Sequence, residues 1–306
     1  MNWKQTLFWS FSAAAIFYYF LLFGVFVFVG QEEMQLFIPE WWYIREFLFQ
    51  PGGFCAVAGQ WIIQYYRQPM SAVVLHTVLL VGCGFMVYRI LRCFSDKTYL
   101  LFLSLLPVLY LVKMSIHGEY LVDGTVGVVL MLLALSVSLK VRRAGSIAGY
   151  GIASTLFLCG LTGLLSVCYA FLYTLLALLR YKTSRQRLAA SACLIPALFI
   201  YLFSGWLGIP VPLSDGWMPE AYLEIQRLPH YYMYRVWTFF TLSIVGVALF
   251  ARFVPVIGEK SKWMDRVALV VCLITVLVSI RFCLPEPWHA QRMMLDELSF
   301  LARERQ

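Results

Sequence analysis

Nine apolar runs divide the chain, over residues 7–30, 71–94, 98–114, 124–141, 145–163, 166–180, 188–207, 236–255 and 267–284. A bilayer core about 30 Å thick takes roughly 20 apolar residues per helix. The runs are continuous rather than alternating. That predicts helices and not barrel strands, because inside lipid every backbone polar group has to be paired within the protein. The expected fold is all-α, a polytopic transmembrane bundle of about nine spans over 1–284. The run 166–180 is short; three readings stay open for it, tilted, re-entrant or fused with its neighbour.

Composition excludes the alternatives. Of the 306 residues, 61% are apolar and 13% are Asp, Glu, Lys or Arg, whereas soluble domains carry about 25% charged residues. An ordinary cytosolic enzyme, a disordered chain and a disulfide-stapled secreted module all need a different composition. The first run is too long for the core of a cleavable signal peptide, and no small-residue cleavage site precedes Gln31-Glu32-Glu33. It reads as a signal anchor.

Lysine and arginine placement predicts orientation. With the N-terminus inside, the inner connectors hold Lys4, then Arg89, Arg92 and Lys97, then Lys140, Arg142 and Arg143, then Arg180, Lys182, Arg185 and Arg187, and last Arg252, Lys260, Lys262 and Arg266. These are 15 of the 24 basic residues, against three acids (Asp96, Glu259 and Asp265), so the inner side carries +12, the outer side −4 and the chain +8. Nine spans then place the C-terminus outside. The distribution accounts for the basic charge and predicts no nucleic-acid partner. The expected setting is the bacterial inner membrane, N-terminus cytoplasmic and C-terminus periplasmic, with the lipid bilayer itself as a partner. The inner connectors read as topology determinants and anionic-lipid contacts. Trp41, Trp42, Trp61, Trp206, Trp217, Trp237 and Trp288 fall near the outer interface, and Trp3, Trp9 and Trp263 near the inner one, as aromatic belts do.

Two outer segments exceed simple connectors. In 31–70, Phe54, Val57, Trp61, Ile62 and Tyr65 recur at helical spacing, with Gln60, Gln64 and Arg67 on the opposite face. This predicts an amphipathic helix lying in the membrane plane and touching lipid, opened by the turn Pro51-Gly52-Gly53 and closed by Pro69. The second segment, 208–235, carries Pro210, Pro212 and Pro219 and is expected to cap the first. Pro107 and Pro196 lie within spans and predict kinks. Lys140 and Arg180 are expected to snorkel to the interface. The tail 285–306 is helix-prone, and reads equally as an outer surface helix or as the start of a soluble part.

All four histidines, His76, His117, His230 and His289, fall toward the outer side, so chemistry by ionisable groups should face outward. Glu32 and Glu33 stand at the outer mouth of the first span and are suited to act as general base or to hold a divalent metal. Glu119 and Asp123 lie one turn apart if a helix begins near Gly118. Arg67, Lys113 and Arg45 are suited to binding phosphate. Each set has a plainer reading: exposed acids enforce solubility and orientation, and acids at a helix N-terminus suit its dipole. No P-loop or G-x-S-x-G pattern is present. No C-x-x-C pair occurs among the eight cysteines; they read as packing residues, with Cys55–Cys283 as a possible outer disulfide.

The stretches Glu33-Met34-Gln35-Leu36-Phe37, Pro51-Gly52-Gly53-Phe54 and Gln64-Tyr65-Tyr66-Arg67-Gln68-Pro69 resemble a Bacteroidota family of polytopic inner-membrane proteins. That likeness implies a multi-span N-terminal part followed by a helical soluble part, and no particular activity. In layout the chain is also similar to the GT-C superfamily of glycosyltransferases. This implies a catalytic acid close after the first span, where Glu32 and Glu33 stand, and a polyprenyl-phosphate-linked donor. Fold-level likeness alone does not fix function, and three readings follow: a transferase of this type, a non-enzymatic scaffold that docks a membrane or periplasmic protein through its outer loops, and a lipid or solute transporter.

Overall fold

The computed structural model describes residues 3–34, 37–97, 99–116, 120, 122–163, 165–203, 231–258 and 270, and among these every regular element is helical. In chain order they are α1 (Trp3–Phe23), α2 (Val25–Met34), α3 (Trp41–Leu48), α4 (Gly53–Ile63), a 3-10 turn (Gln64–Arg67), α5 (Pro69–Leu91), α6 (Leu100–Leu103), α7 (Leu105–Met114), α8 (Val122–Ser138), α9 (Ala144–Thr162), α10 (Leu165–Arg180), α11 (Ser184–Ser191), α12 (Leu194–Leu202) and α13 (Tyr231–Gly258). Three of the described helices, Gln5–Phe23, Pro69–Leu91 and Ala144–Thr162, are long and apolar enough to cross a membrane, and Leu100–Met114, Val122–Ser138, Leu165–Arg180 and Phe239–Arg252 are shorter apolar segments. The expected span 267–284 apart from residue 270, the segment 208–235 apart from the start of α13, and the tail 285–306 lie outside the described residues.

Helix α5 is central and packs on α1, α2, α7 and α8. Its start follows from Pro69 at the first helical position, where a missing N–H costs no hydrogen bond. Much of the bundle's outer wall is apolar and uncovered: Phe11 is 76% exposed, Phe157 68% and Ile195 71%. Helices apolar on all sides yet this open belong in lipid rather than water.

The two expected proline kinks take the form of breaks. Pro107 has no N–H for the Leu103 carbonyl, and the chain interrupts itself at Ser104 between α6 and α7. Pro196 has no N–H for the Ala192 carbonyl, which accepts the Ile195 N–H at 3.2 Å instead, and α11 separates from α12 there. The run 188–207 is thus not one continuous helix. The short run 166–180 is a helix of its own, set off from α9 at Gly163. Where three helices meet, the Tyr169 hydroxyl on α10 bonds Ser138 on α8 at 2.5 Å and Ser154 on α9 at 2.7 Å; such bonds hold helices together in an apolar medium.

The connectors sort to two ends. At one, Arg180 donates to the Cys93 carbonyl (3.3 Å), Tyr181 to the Val141 carbonyl (2.7 Å) and Gln186 to the Arg142 carbonyl (2.6 Å). Three basic connectors are thereby joined, and Gln5 near the chain start reaches Tyr88 close by in sequence. At the other end, Gln31 donates to the Tyr120 carbonyl, Gln64 to the Phe37 carbonyl and Gly52 to the Gly160 carbonyl. Arg180 therefore holds a neighbouring connector through its guanidinium. Trp9, expected at the interface, packs in the core against Phe85 and Tyr88.

Candidate functional site

The turn Pro51-Gly52-Gly53 builds the roof of the site. Gly52 has φ 85°, a left-handed conformation open to glycine, and a Cβ at Gly53 would overlap the Phe47 carbonyl. Helix α4 leaves this turn with small residues on one face. Gly53, Cys55, Ala56 and Gly59 are buried, and the helix packs against α8. Phe54, Trp61 and Tyr65 remain exposed and Val57 and Ile62 half-buried. The expected apolar face thus points away from the bundle, toward where lipid would lie.

The continuous amphipathic helix expected here differs in two ways. It ends at Ile63 and tightens into the 3-10 turn. Gln60, placed on the polar face by spacing, is buried, because Tyr43 of α3 donates to its Oε1 at 3.1 Å. Helix α3 is itself amphipathic with no buried residue, and its role was missed: Trp41 and Trp42 read as isolated anchors, while the helix has barely two turns.

Beneath α4 lies a buried polar cluster. Asp123, in the first turn of α8, is 2% exposed. Its Oδ1 accepts the Gly124 N–H at 2.9 Å, and its Oδ2 has no hydrogen-bond partner among the described residues. The Tyr66 hydroxyl and His76 Nε2 are 2.5 Å apart, and the imidazole stacks on Phe28 with centroids 4.2 Å apart and planes 9° off parallel. His76 Nδ1 is also unpartnered among the described residues. Gln31 spends its Nε2 on the Tyr120 carbonyl at 2.8 Å and leaves its Oε1 unpaired, while Thr125 donates to the Tyr120 hydroxyl at 3.2 Å. Buried polar atoms are normally paired, and among these Asp123 Oδ2 is the one that belongs to a carboxyl.

Electrostatics link Asp123 to Tyr66 and Cys55. Burial pushes the Tyr66 phenol and the Cys55 thiol up, and the Asp123 charge adds to both. Burial also raises the Tyr43 phenol, with the Gln60 hydrogen bond opposing and Glu46 reinforcing the shift.

Of the acids singled out from sequence, Asp123 is in this cluster. Glu32 is half-buried on α2 and makes no hydrogen bond or ion pair among the described residues. It follows Gln31 by one residue, about 100° around the helix. The side chain of Glu33, and Glu119 altogether, lie outside the described residues. Arg45 is exposed over the Phe49 ring at 5.6 Å, Arg67 is exposed at the end of the 3-10 turn, and Lys113 is half-buried in the last turn of α7. Cys55 is a free buried thiol, and Cys283 lies outside the described residues. Gln31, Tyr66 and Tyr120 were not anticipated, because a lone Gln before two Glu and a Tyr in an aromatic run read as boundary residues. Among the described residues no three His, Cys, Asp or Glu side chains gather to hold a metal ion.

A family model, that of a family of unknown function designated DUF6057, matches residues 1–306, and the chain belongs to that family. No curated protein and no solved structure matches it.

Proposed function

We propose that this DUF6057 member is an inner-membrane transferase of GT-C-like layout, moving a sugar from a polyprenyl-phosphate donor at the periplasmic face. The observation that carries the reading is the Asp123 carboxyl, buried at one end of the bundle with an unpaired oxygen and close enough for its charge to act on Tyr66. In this reading Asp123 takes the proton of an acceptor hydroxyl. The freed oxygen attacks the anomeric carbon, the bond from that carbon to the polyprenyl phosphate oxygen breaks, and the phosphate leaves with the bonding pair. Arg67 and Lys113 neutralise the departing phosphate. The Gly124 N–H holds one oxygen of the carboxylate, Glu32 and Glu33 flank the acceptor path, and the exposed Phe54–Trp61–Tyr65 face of α4 meets the polyprenyl chain. The orientation rests on the basic connectors joined at one end of the bundle, taken as cytoplasmic by the positive-inside rule.

The test is Asp123→Asn, together with Glu32→Gln, Glu33→Gln and the Glu double variant, assayed for a surface glycan at unchanged protein level. Loss of the glycan in Asp123→Asn is expected. A full glycan in Asp123→Asn rejects the assignment of the base.

A scaffold role is the second reading, favoured by α3, where Trp41, Trp42 and Phe49 are 68%, 61% and 80% exposed. Exposed aromatics of this kind suit partner docking. Purification in mild detergent separates the two: co-purifying polyprenyl phosphate favours the transferase, and a stoichiometric protein favours the scaffold.

A further inference from the structure

Asp123 is shut in. It is 2% exposed, and α4 lies over it at Gly59, where an added Cβ would come within 3.0 Å of the Asp123 backbone. An acceptor hydroxyl has to reach hydrogen-bonding distance of Oδ2 before that oxygen can take its proton, and it cannot do so while α4 stays in place. We propose that α4, carrying α3 with it, is a lid that lifts from the N-terminus of α8 to uncover the Asp123 carboxyl and then closes over it again. The proposal rests on the transferase reading for its purpose, though not for its test.

The way α4 is held fits a moving part. Its two ends are pinned: the Gly52 N–H donates to the Gly160 carbonyl of α9 at 3.1 Å, and Tyr66 in the 3-10 turn bonds His76 of α5. Between these anchors, among the described residues, no hydrogen bond or ion pair joins α4 to α8. The Asp123 carboxyl bonds the Gly124 N–H within its own helix, and Gln60 of α4 is taken by Tyr43 of α3. What faces α8 is the small set Cys55, Ala56 and Gly59, while Ile63, the one large apolar side chain that α4 buries, stands at the pinned end. Small side chains bury little apolar area, and stabilisation scales with that area. Helix α3 buries no residue at all. Segments with few buried apolar contacts are the first to open.

The backbone at both ends suits a hinge. Gly52 holds φ 85°, where a residue without a Cβ can turn freely. At the other end α-helical bonding gives way to the 3-10 turn at Gln64, and Gln68 is extended before Pro69; lids commonly hinge at such element ends. A fixed roof would also satisfy the carboxyl it covers, because an unpaired buried polar atom is destabilising. Helix α4 gives Oδ2 no partner, so the covered state carries a penalty that lifting relieves.

Two native thiols report the motion. Cys55, one turn before Gly59 on α4, and Cys83 in α5 are both free and fully buried. A full-length chain keeping only these two cysteines is treated with N-ethylmaleimide in mild detergent, and peptide mass spectrometry gives each alkylation rate. Cys55 should react roughly tenfold faster than Cys83 or more, because lifting α4 exposes the first thiol alone and the second waits for the bundle to unfold. Gly59→Ala, which wedges α4 away from Asp123, should raise the Cys55 rate several-fold and leave Cys83 unchanged. Gly82→Ala, with open space around its Cβ in α5, should change neither. A Cys55 rate no greater than that of Cys83, no alkylation of either thiol, or an equal rise at both in Gly59→Ala would each overturn the lid. Should Gly59→Ala fail to fold, the two rates in the parent chain decide. These rates need no activity, so a failure here leaves the base to be judged by Asp123→Asn, and a full glycan in Asp123→Asn leaves the lid to be judged by the rates.

Discussion

Gly59 lies directly against Asp123: a Cβ built on Gly59 would come within 2.7 Å of the Asp123 Cβ and 3.0 Å of its Cα. The small face of α4 therefore sets how closely the roof can sit on the N-terminus of α8. Nothing wider than glycine fits unless one helix moves.

Gly59→Ala should accordingly destabilise the protein. Forcing even one carbon into a packed backbone contact costs about 1–3 kcal/mol. Gly82, in α5, has open space where its Cβ would go, so Gly82→Ala should hold or slightly raise stability through helix propensity. The thermal midpoint in detergent, followed by size-exclusion chromatography, compares them. Equal midpoints in the two variants would mean that α4 does not bear on α8 at this point.

The Tyr66–His76 pair gives a second expectation. Tyr66→Phe removes the hydroxyl from His76 Nε2 while Nδ1 is already unpaired among the described residues. A buried polar group left without a partner costs about 1–3 kcal/mol. His76→Phe in the same chain removes that stranded group, so the double variant should lose less than the sum of the two single losses. A double-mutant cycle on thermal midpoints measures the coupling, and strict additivity would show that the pair contributes nothing as a pair.

These contacts also show how far the amino-acid order could be read. The helical class, the Pro51-Gly52-Gly53 turn and the interruptions near Pro107 and Pro196 were legible, because each depends on backbone chemistry local to a few residues. Asp123 was legible as a candidate by type and position. Its surroundings were not: Gly59 and Cys55 of α4 and Tyr66 of the 3-10 turn come near it from other elements, and spacing within one element carries no information about such a meeting. Gln60 illustrates the same limit. Helical periodicity put it on the polar side, and a tyrosine from α3 brings it inside.

Alkaline pH should weaken the fold. The Tyr66 phenol and Cys55 thiol are held above their ordinary values of 10.0 and 9.0, chiefly by burial and then by Asp123. The folded state thus keeps protons that the unfolded chain gives up, and stability falls as pH rises beyond the unfolded values. Stability should be unaffected by these groups below about pH 8 and decline from about pH 9 upward, as thiol and then phenol ionise in the unfolded chain. Cys55→Ala/Tyr66→Phe should flatten that decline even though it lowers stability at pH 7. Midpoints measured between pH 7 and pH 11 test this, and a slope unchanged in the double variant would assign the alkaline loss to other groups.

Orientation is open to a direct chemical test. Gln68 is exposed next to the 3-10 turn, and Lys182 is exposed between α10 and α11, at the opposite end of the bundle. In a chain freed of its native cysteines, Gln68→Cys should react with a membrane-impermeant maleimide on intact cells, while Lys182→Cys should react only after permeabilisation. The prediction follows from the joined basic connectors: Arg180, Tyr181 and Gln186 reach carbonyls at 93, 141 and 142. These three connectors consequently share one side of the membrane, and positive charge favours the cytoplasm. Labelling of Lys182→Cys on intact cells would invert the assignment and put Asp123, Tyr66 and His76 at the cytoplasmic face, where a periplasmic glycan transfer has no access to them.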